Sequence, residues 1–321
     1  MSPNVALDRV RVVRGFQPGK QSRALSEFLQ PGGSGVHASS VIQALGGETI
    51  ALGLLGGHAG KLWKAEAGRR RLHYEMVPFA GETRESFCMI DLDLGSVVES
   101  VVEGPLIPPG IQKDLLARLD KYLPDSEFLV LSGSLPKGLP VSTYAGMIEL
   151  AKHHRVPVLA DIHSQPLREA LPSRPWLIKP NLAEFHELIG DTTHGLQERA
   201  RASKKFCDQT GILLALSMSG EGVLLTTPND QWLLAPPSIA MHLPEGTGQN
   251  VIGCGDALVG ALAFEYCRTG DLLQAARLGL AAAHFSLSTL GVPEIDPHQV
   301  RELERHVHMQ RLSSIAPRST K

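Results

Sequence analysis

Six short apolar runs recur along the chain with helical patterns between them: TIALGLL (49–55), FLVLSG (128–133), VPVLADI (156–162), WLIKP (176–180), ILLALSM (212–218) and GVLLTT (222–227). Most are continuously apolar rather than alternating. A strand with no polar face is one buried on both sides, as in a parallel sheet covered by helices. The stretches VHASSVIQAL (36–45), VSTYAGMIELAKHH (141–154), LAEFHELI (182–189) and LQERARASKKFCDQT (196–210) space their apolar residues as helices do. Strand and helix in repeated alternation mean crossover units, which predicts an α/β layered fold with a mostly parallel central sheet. From residue 256 the pattern is nearly all helix, and those helices are expected to close one face of the sheet.

Two stretches break the rhythm. Residues 10–30 and 73–103 alternate polar and apolar residues around turn signals, the pattern of antiparallel strands with one wet face. Together they are expected to form a small β lid, whose closure would exclude water from a reactive site; an edge extension of the main sheet is the alternative. With 321 residues, 43% of them apolar, the chain can bury a large core. We expect one domain over 1–310 and a basic, disordered tail over 311–321. A formal charge of −2 supplies no broad basic field, which argues against a nucleic-acid partner. The N-terminus lacks a signal-peptide layout, and no apolar run approaches a membrane span. Cys88, Cys207, Cys254 and Cys267 are far apart with no Cys-x-x-Cys pair, which argues against a zinc site or a disulfide framework. These features point to a reducing, cytoplasmic setting.

NVIGCGDALVGALAF (250–264) is a glycine-rich turn running directly into an apolar helix. Its first reading is an ordinary helix start, with Asp256 favoured near the positive end of the dipole. That reading leaves Gly253 and Gly255 unexplained. Small residues before a helix also let an anion approach its N-terminus, and phosphoryl transfer needs such donors together with a carboxylate base. On these residues alone capping and chemistry stand level. LGLLGGHAGKL (52–62) is not a phosphate-binding P-loop, since Leu55 and Leu62 stand where glycine and a hydroxyl are required, and it does not match a dinucleotide fingerprint. PGGSGVHASSVIQALGG (31–47) opens a helix with glycines and reads equally as a flexible entry or as a close approach to a polar ligand.

PGGSGVHASSVIQALGG, GETRESFCMID, LVLSGSLPKGLP, LIKPNLAEFHELIG and NVIGCGDALVGAL occur in an order and spacing that resemble the PfkB (ribokinase-like) carbohydrate kinases, particularly the 1-phosphofructokinase and tagatose-6-phosphate kinase branch. Each motif alone is weak; five in register, over about residues 3–300, are specific. The resemblance implies a ribokinase-like α/β/α sandwich with a β lid, and ATP-dependent phosphoryl transfer with Mg2+. It implies Asp256 as general base, with Gly253, Cys254 and Gly255 as the anion hole. On the acceptor side it implies Asp8, Gly32, Gly33 and Ser134, with His37 at a hydroxyl-binding position. Arg84, following Thr83, would meet a sugar phosphate, since a guanidinium suits that task; Arg23 and Lys20 stand at further lid positions. Asn181 and Glu184 would organise magnesium through water, while Ser217, Ser219, Gly220 and Gly222 would line the nucleotide. Taken singly, Asp8 reads as a turn residue, Arg84 as a surface charge, Ser134 as a turn cap and Glu184 as a first-turn carboxylate.

The departures from that branch are specific. Ser34 replaces a lysine, His37 an asparagine, Val251 a hydroxyl residue, Ser219 a glycine and Ser86 an asparagine, and most of the family's first strand is missing before Asp8. They separate three readings: a sugar-phosphate kinase, which Arg84, Arg23 and Asp256 favour; a kinase for an unphosphorylated sugar or nucleoside, which Ser34 and His37 favour; and a catalytically impaired sugar- or nucleotide-binding homologue. The open lid edge needs covering, which a homodimer joined lid to lid would do.

Overall fold

In the computed structural model, residues 1–239, 252–289 and 295–312 are described. Along the chain, β1 (Ala6–Val13) and β2 (Ser26–Gly32) form a hairpin that leads into α1 (Ser34–Ala44). Next come β3 (Ala51–Leu55), α2 (Gly57–Arg69), β4 (Tyr74–Pro78), β5 (Arg84–Asp91) and β6 (Ser96–Val101). Then α3 (Ile111–Tyr122), β7 (Leu129–Ser132), α4 (Thr143–His153), β8 (Val158–Asp161), α5 (Ser164–Ala170) and β9 (Leu177–Ile178) alternate. They are followed by α6 (Leu182–Ile189), α7 (Gly195–Thr210), β10 (Leu213–Ser217), β11 (Val223–Thr226) and β12 (Gln231–Ala235). The last elements are α8 (Cys254–Thr269), α9 (Leu272–Ser286), α10 (Pro297–Arg305) and β13 (His308–Arg311).

The seven-stranded sheet runs β13-β12-β11-β10-β9-β8-β7, parallel from β7 to β10 and antiparallel from β10 to β13. Strands β3 and β4 pair in parallel beside it. Met1 and Ser2 stitch the two together: the Ser2 N–H donates to Leu52 O at 2.8 Å, and the Ser132 N–H donates to Met1 O at 3.0 Å. A two-residue segment therefore bridges β3 and β7.

The continuous apolar runs have the cause inferred for them. Along β8 and β10, Val158, Ala160, Leu214 and Leu216 face a core shared with α3 to α7, while Leu159 and Ala215 face one shared with α1, α8, α9 and α10. Successive side chains point to opposite faces, so a sheet covered on both sides demands an apolar residue at every position. The result is a ribokinase-like α/β/α sandwich.

The accessory sheet runs β2-β1-β5-β6. Its membership corrects the expected lid boundaries. Tyr74–Pro78 pairs with β3 in a two-stranded sheet outside the accessory sheet, and the first strand of the accessory sheet begins at Ala6 rather than at residue 10. The chain after residue 256 is also not wholly helical: β13 pairs with β12, and Leu312 packs on the core, so residues 311 and 312 belong to the fold rather than to a tail. The remainder of the expected tail, 313–321, lies outside the described residues, as does Val251. Among the described residues, no helix is long and apolar enough to cross a membrane.

Candidate active site

The N-terminus of α8, the start of α1 and the middle of β1 converge. Helices α1 and α8 cross closely because Gly260 has no side chain; a Cβ there would lie 2.5 Å from the Ala38 carbonyl oxygen. This crossing brings His37 of α1 onto Asp256 of α8, with His37 Nδ1 2.8 Å from Asp256 Oδ2. On its other side His37 Nε2 lies 3.1 Å from Asp8 Oδ2. Asp8 fits against the α1 entry because Gly32 leaves it room: a Cβ on Gly32 would come within 2.2 Å of the Asp8 carboxylate. Ser86 of β5 donates its hydroxyl proton to Asp8 Oδ1.

His37 is only 7% exposed. Burial works against its charge, but the hydrogen bonds and negative fields of Asp256 and Asp8 outweigh burial and hold the imidazole up at about 10. Burial pushes Asp256 above the usual carboxylate range, with the Asp161 charge adding to the rise, while His37 and Lys179 pull against it.

Gly253, at φ 78°, is the N-cap of α8, and Cys254, Gly255 and Asp256 form its first turn, where the dipole is positive. The Cys254 sulfur accepts from the Ser286 hydroxyl at 3.2 Å. Behind this turn lies a residue that the sequence reading passed over. Lys179, 6% exposed, forms a 2.9 Å ion pair with Asp161, and its Nζ would sit 3.6 Å from a Cβ placed on Gly255. Lys179 follows β9 and Asp161 ends β8. The available signal was a charge at the carboxyl end of each apolar run, which is where open α/β sheets bind ligands.

Asn181 and Ser217 are brought together by a bridge between the ends of β9 and β10. Asn181 and Glu184 form a reciprocal capping box on α6: the Glu184 N–H donates to Asn181 Oδ1 at 2.9 Å, and the Asn181 N–H donates to Glu184 Oε2 at 2.8 Å. The simple reading of Glu184 as a helix-stabilising carboxylate therefore holds as well. Its other oxygen suits a largely hydrated cation, and Mg2+ needs only one or two carboxylates beside phosphate and water. Among the described residues no cluster of three His, Cys, Asp or Glu side chains is arranged to hold a metal, so a cation here would take most of its ligands from elsewhere. Ser219 and Gly220 sit on the exposed turn between β10 and β11, and Gly222 lies against the Leu234 carbonyl.

The acceptor-side residues are less gathered. Ser134 accepts from Asn4 Nδ2 at 2.9 Å. Thr83 is spent on the turn before α2: its hydroxyl donates to Gly56 O at 3.0 Å and accepts from the Gly56 N–H at 2.9 Å. Arg84 donates to the carbonyls of Asn4 and Val102, both at 3.1 Å, and its Nε is buried without a hydrogen-bond partner. Burial pulls the Arg84 guanidinium below its ordinary value. Gly33 is the N-cap of α1, and Ser34 is its first residue. Arg23 and Lys20 are exposed on the loop joining β1 to β2, and Glu99 of β6, though exposed to solvent along the strand edge, carries a carboxyl held above its ordinary range by partial desolvation first and next by the Asp8 charge.

The profile of pfkB family carbohydrate kinases matches residues 4–298. Among curated relatives, the chain is 29% identical over 314 residues to a 1-phosphofructokinase of Bacillus subtilis, covering 96% of this chain and 98% of that protein. It is 28% identical over 292 residues to an ATP-dependent 6-phosphofructokinase isozyme 2 of Mycobacterium tuberculosis, covering 91% of this chain and 84% of the other. Phosphofructokinase-2 from Escherichia coli, solved with substrates and products, superposes with a TM-score of 0.83 at 20% identity over 95% of this chain and 97% of that one. At that identity the structural likeness speaks for the fold.

Proposed function

The chain belongs to the pfkB family of carbohydrate kinases and is a phosphotransferase, and from that premise we propose that it moves the terminal phosphoryl group of ATP to a hydroxyl of a sugar phosphate, with Asp256 as general base. The observation that carries this reading is a carboxylate, 14% exposed, in the first turn of α8 with a buried ammonium, Lys179, beside the same turn. Asp256 Oδ2 is held by His37, which leaves Oδ1 to receive the proton of the attacking hydroxyl. A carboxylate raised by burial is a better base than one in water, because its proton affinity lies nearer working pH. Charge developing on the moving phosphoryl oxygens meets the positive end of α8 and the Lys179 ammonium. Asn181, Glu184 and Ser217 lie at the strand ends where the nucleotide phosphates and a hydrated Mg2+ would be held. Bound Mg2+ would supply charge neutralisation across the phosphates.

Two features support a phosphorylated acceptor: Arg84, half-buried near Asp8, and the 1-phosphofructokinase relative that spans almost the whole chain. The accessory sheet, which carries Asp8, is taken as a lid over the Asp256 side of the site. Its edge strand β6 exposes Val98 and Val101, at 50% and 55%, which supports a homodimer joined through that sheet. Light scattering should return twice the chain mass; a single-chain mass at high concentration removes the dimer.

The test of the base is Asp256→Asn, which keeps shape and removes proton affinity. The expected loss in kcat is about 10³-fold or more, with ATP affinity within a few fold of wild type. Activity retained within about tenfold returns Asp256 to a helix-capping role.

A further inference from the structure

His37 has each ring nitrogen on a carboxylate, and the two carboxylates come from different layers of the molecule: Asp8 on the accessory sheet and Asp256 at the head of a core helix. A neutral imidazole has one N–H and one lone pair, and a lone pair facing an ionised carboxylate at 2.8 or 3.1 Å would repel it. Both contacts are satisfied together when both nitrogens carry protons.

The charges around the ring support the same assignment. Arg84 and Glu99 face the cluster from the accessory sheet, and Asp161 and Lys179 face it from the ends of the central strands. Of the two other cations, Lys179 is paired with Asp161, and Arg84 donates to the Asn4 and Val102 carbonyls. The Asp8 and Asp256 side chains are 13% and 14% exposed. Two such carboxylates flanking one ring are costly to ionise together unless the group between them is positive.

We propose that His37 is a positioning residue that works as an imidazolium bridge, fixing Asp8 and Asp256 as one unit and directing Asp256 Oδ1 toward the acceptor hydroxyl. The proposal rests on the reading of Asp256 as the base. Ring charge and ring contacts have a further consequence: His37 keeps no nitrogen for a sugar hydroxyl, so its role is to arrange the carboxylates that do the binding and the proton transfer. Removing the cation leaves Asp256 facing the charges of Asp161 and Glu99 against Lys179, itself paired with Asp161, which favours its protonated form. Its proton affinity then rises, and a higher pH is needed to generate the base.

Two measurements decide this. In 15N NMR of the wild-type protein, both His37 ring nitrogens should be protonated from about pH 6 to about pH 9, well above the point at which a free histidine loses its charge. In His37→Gln, the acid limb of the kcat profile should move up by about one pH unit or more, and kcat near neutral pH should fall roughly 10- to 100-fold, with KM for ATP unchanged. A neutral His37 in the NMR spectrum overturns the bridge even in an active enzyme. So does a loss of kcat with an unmoved acid limb, which would make His37 a packing residue. Wild-type protein without kinase turnover would sink the base assignment instead, and the NMR result would still decide the state of the ring.

Discussion

The two halves of the candidate site are built differently. On the core side, Asp256, Lys179, Asp161, Asn181 and Ser217 are anchored at helix and strand ends of the central sandwich, where packing on both faces of the sheet fixes their backbones. On the accessory-sheet side, Asp8 and Arg84 are carried by strands with one exposed face, and His37 reaches Asp8 from α1, a helix packed against α8. The core half presents charges directed at one turn of α8. In the accessory half the charges are largely bonded within the protein: Asp8 to His37 and Ser86, and Arg84 to two carbonyls. On the proposed reading, phosphoryl transfer has a fixed framework, and a sugar phosphate would be held by Arg84 only once it exchanged its carbonyl partners for the ligand.

That contrast makes unequal demands on substitutions. The largest effect after loss of the base should come from Lys179→Met, which removes the ammonium beside the α8 turn and strands Asp161. We expect kcat to fall about 10²- to 10³-fold with both substrates still bound, and isothermal titration alongside steady-state kinetics separates the two. Loss of nucleotide binding with no kcat effect would instead make Lys179 a binding group. A smaller effect should follow Arg84→Ala: KM for phosphorylated acceptors rises about tenfold, as for one lost charge-assisted contact, while unphosphorylated sugars are unaffected. Equal losses for both acceptor classes would show that Arg84 serves the Asn4 and Val102 carbonyls and the sheet rather than a phosphate.

The sequence disclosed the core half more fully, for physical reasons. Strands buried on both faces announce themselves as unbroken apolar runs, so β7, β8, β10 and β11 were legible. Strand β13 was not, because all four of its residues are exposed and carry no apolar pattern. The alternating HYEMVP context of β4 looks one-sided and points to the lid, whereas its partner is β3. In the site, Asp256 and Asp8 stand out through motif spacing. For Lys179 and Asp161 the sequence shows only a charge ending each of two apolar strands, and their pairing emerges when the structure sets those strand ends side by side. The His37 contacts are equally hidden, because the Asp256 partner lies 219 residues away and only the close crossing at Gly260 brings them together.

What the enzyme phosphorylates tests the sugar-phosphate reading most directly. ATP turnover, with the product identified by 31P NMR, should be measured across fructose 1-phosphate, fructose 6-phosphate, tagatose 6-phosphate, ribose and a nucleoside. We predict a bisphosphate product from at least one of the sugar phosphates, at a kcat/KM at least about 10²-fold above that for ribose or the nucleoside, as expected when a site uses a charged group to hold its acceptor. Turnover confined to unphosphorylated acceptors, or measurable sugar binding with no turnover of any, would contradict it.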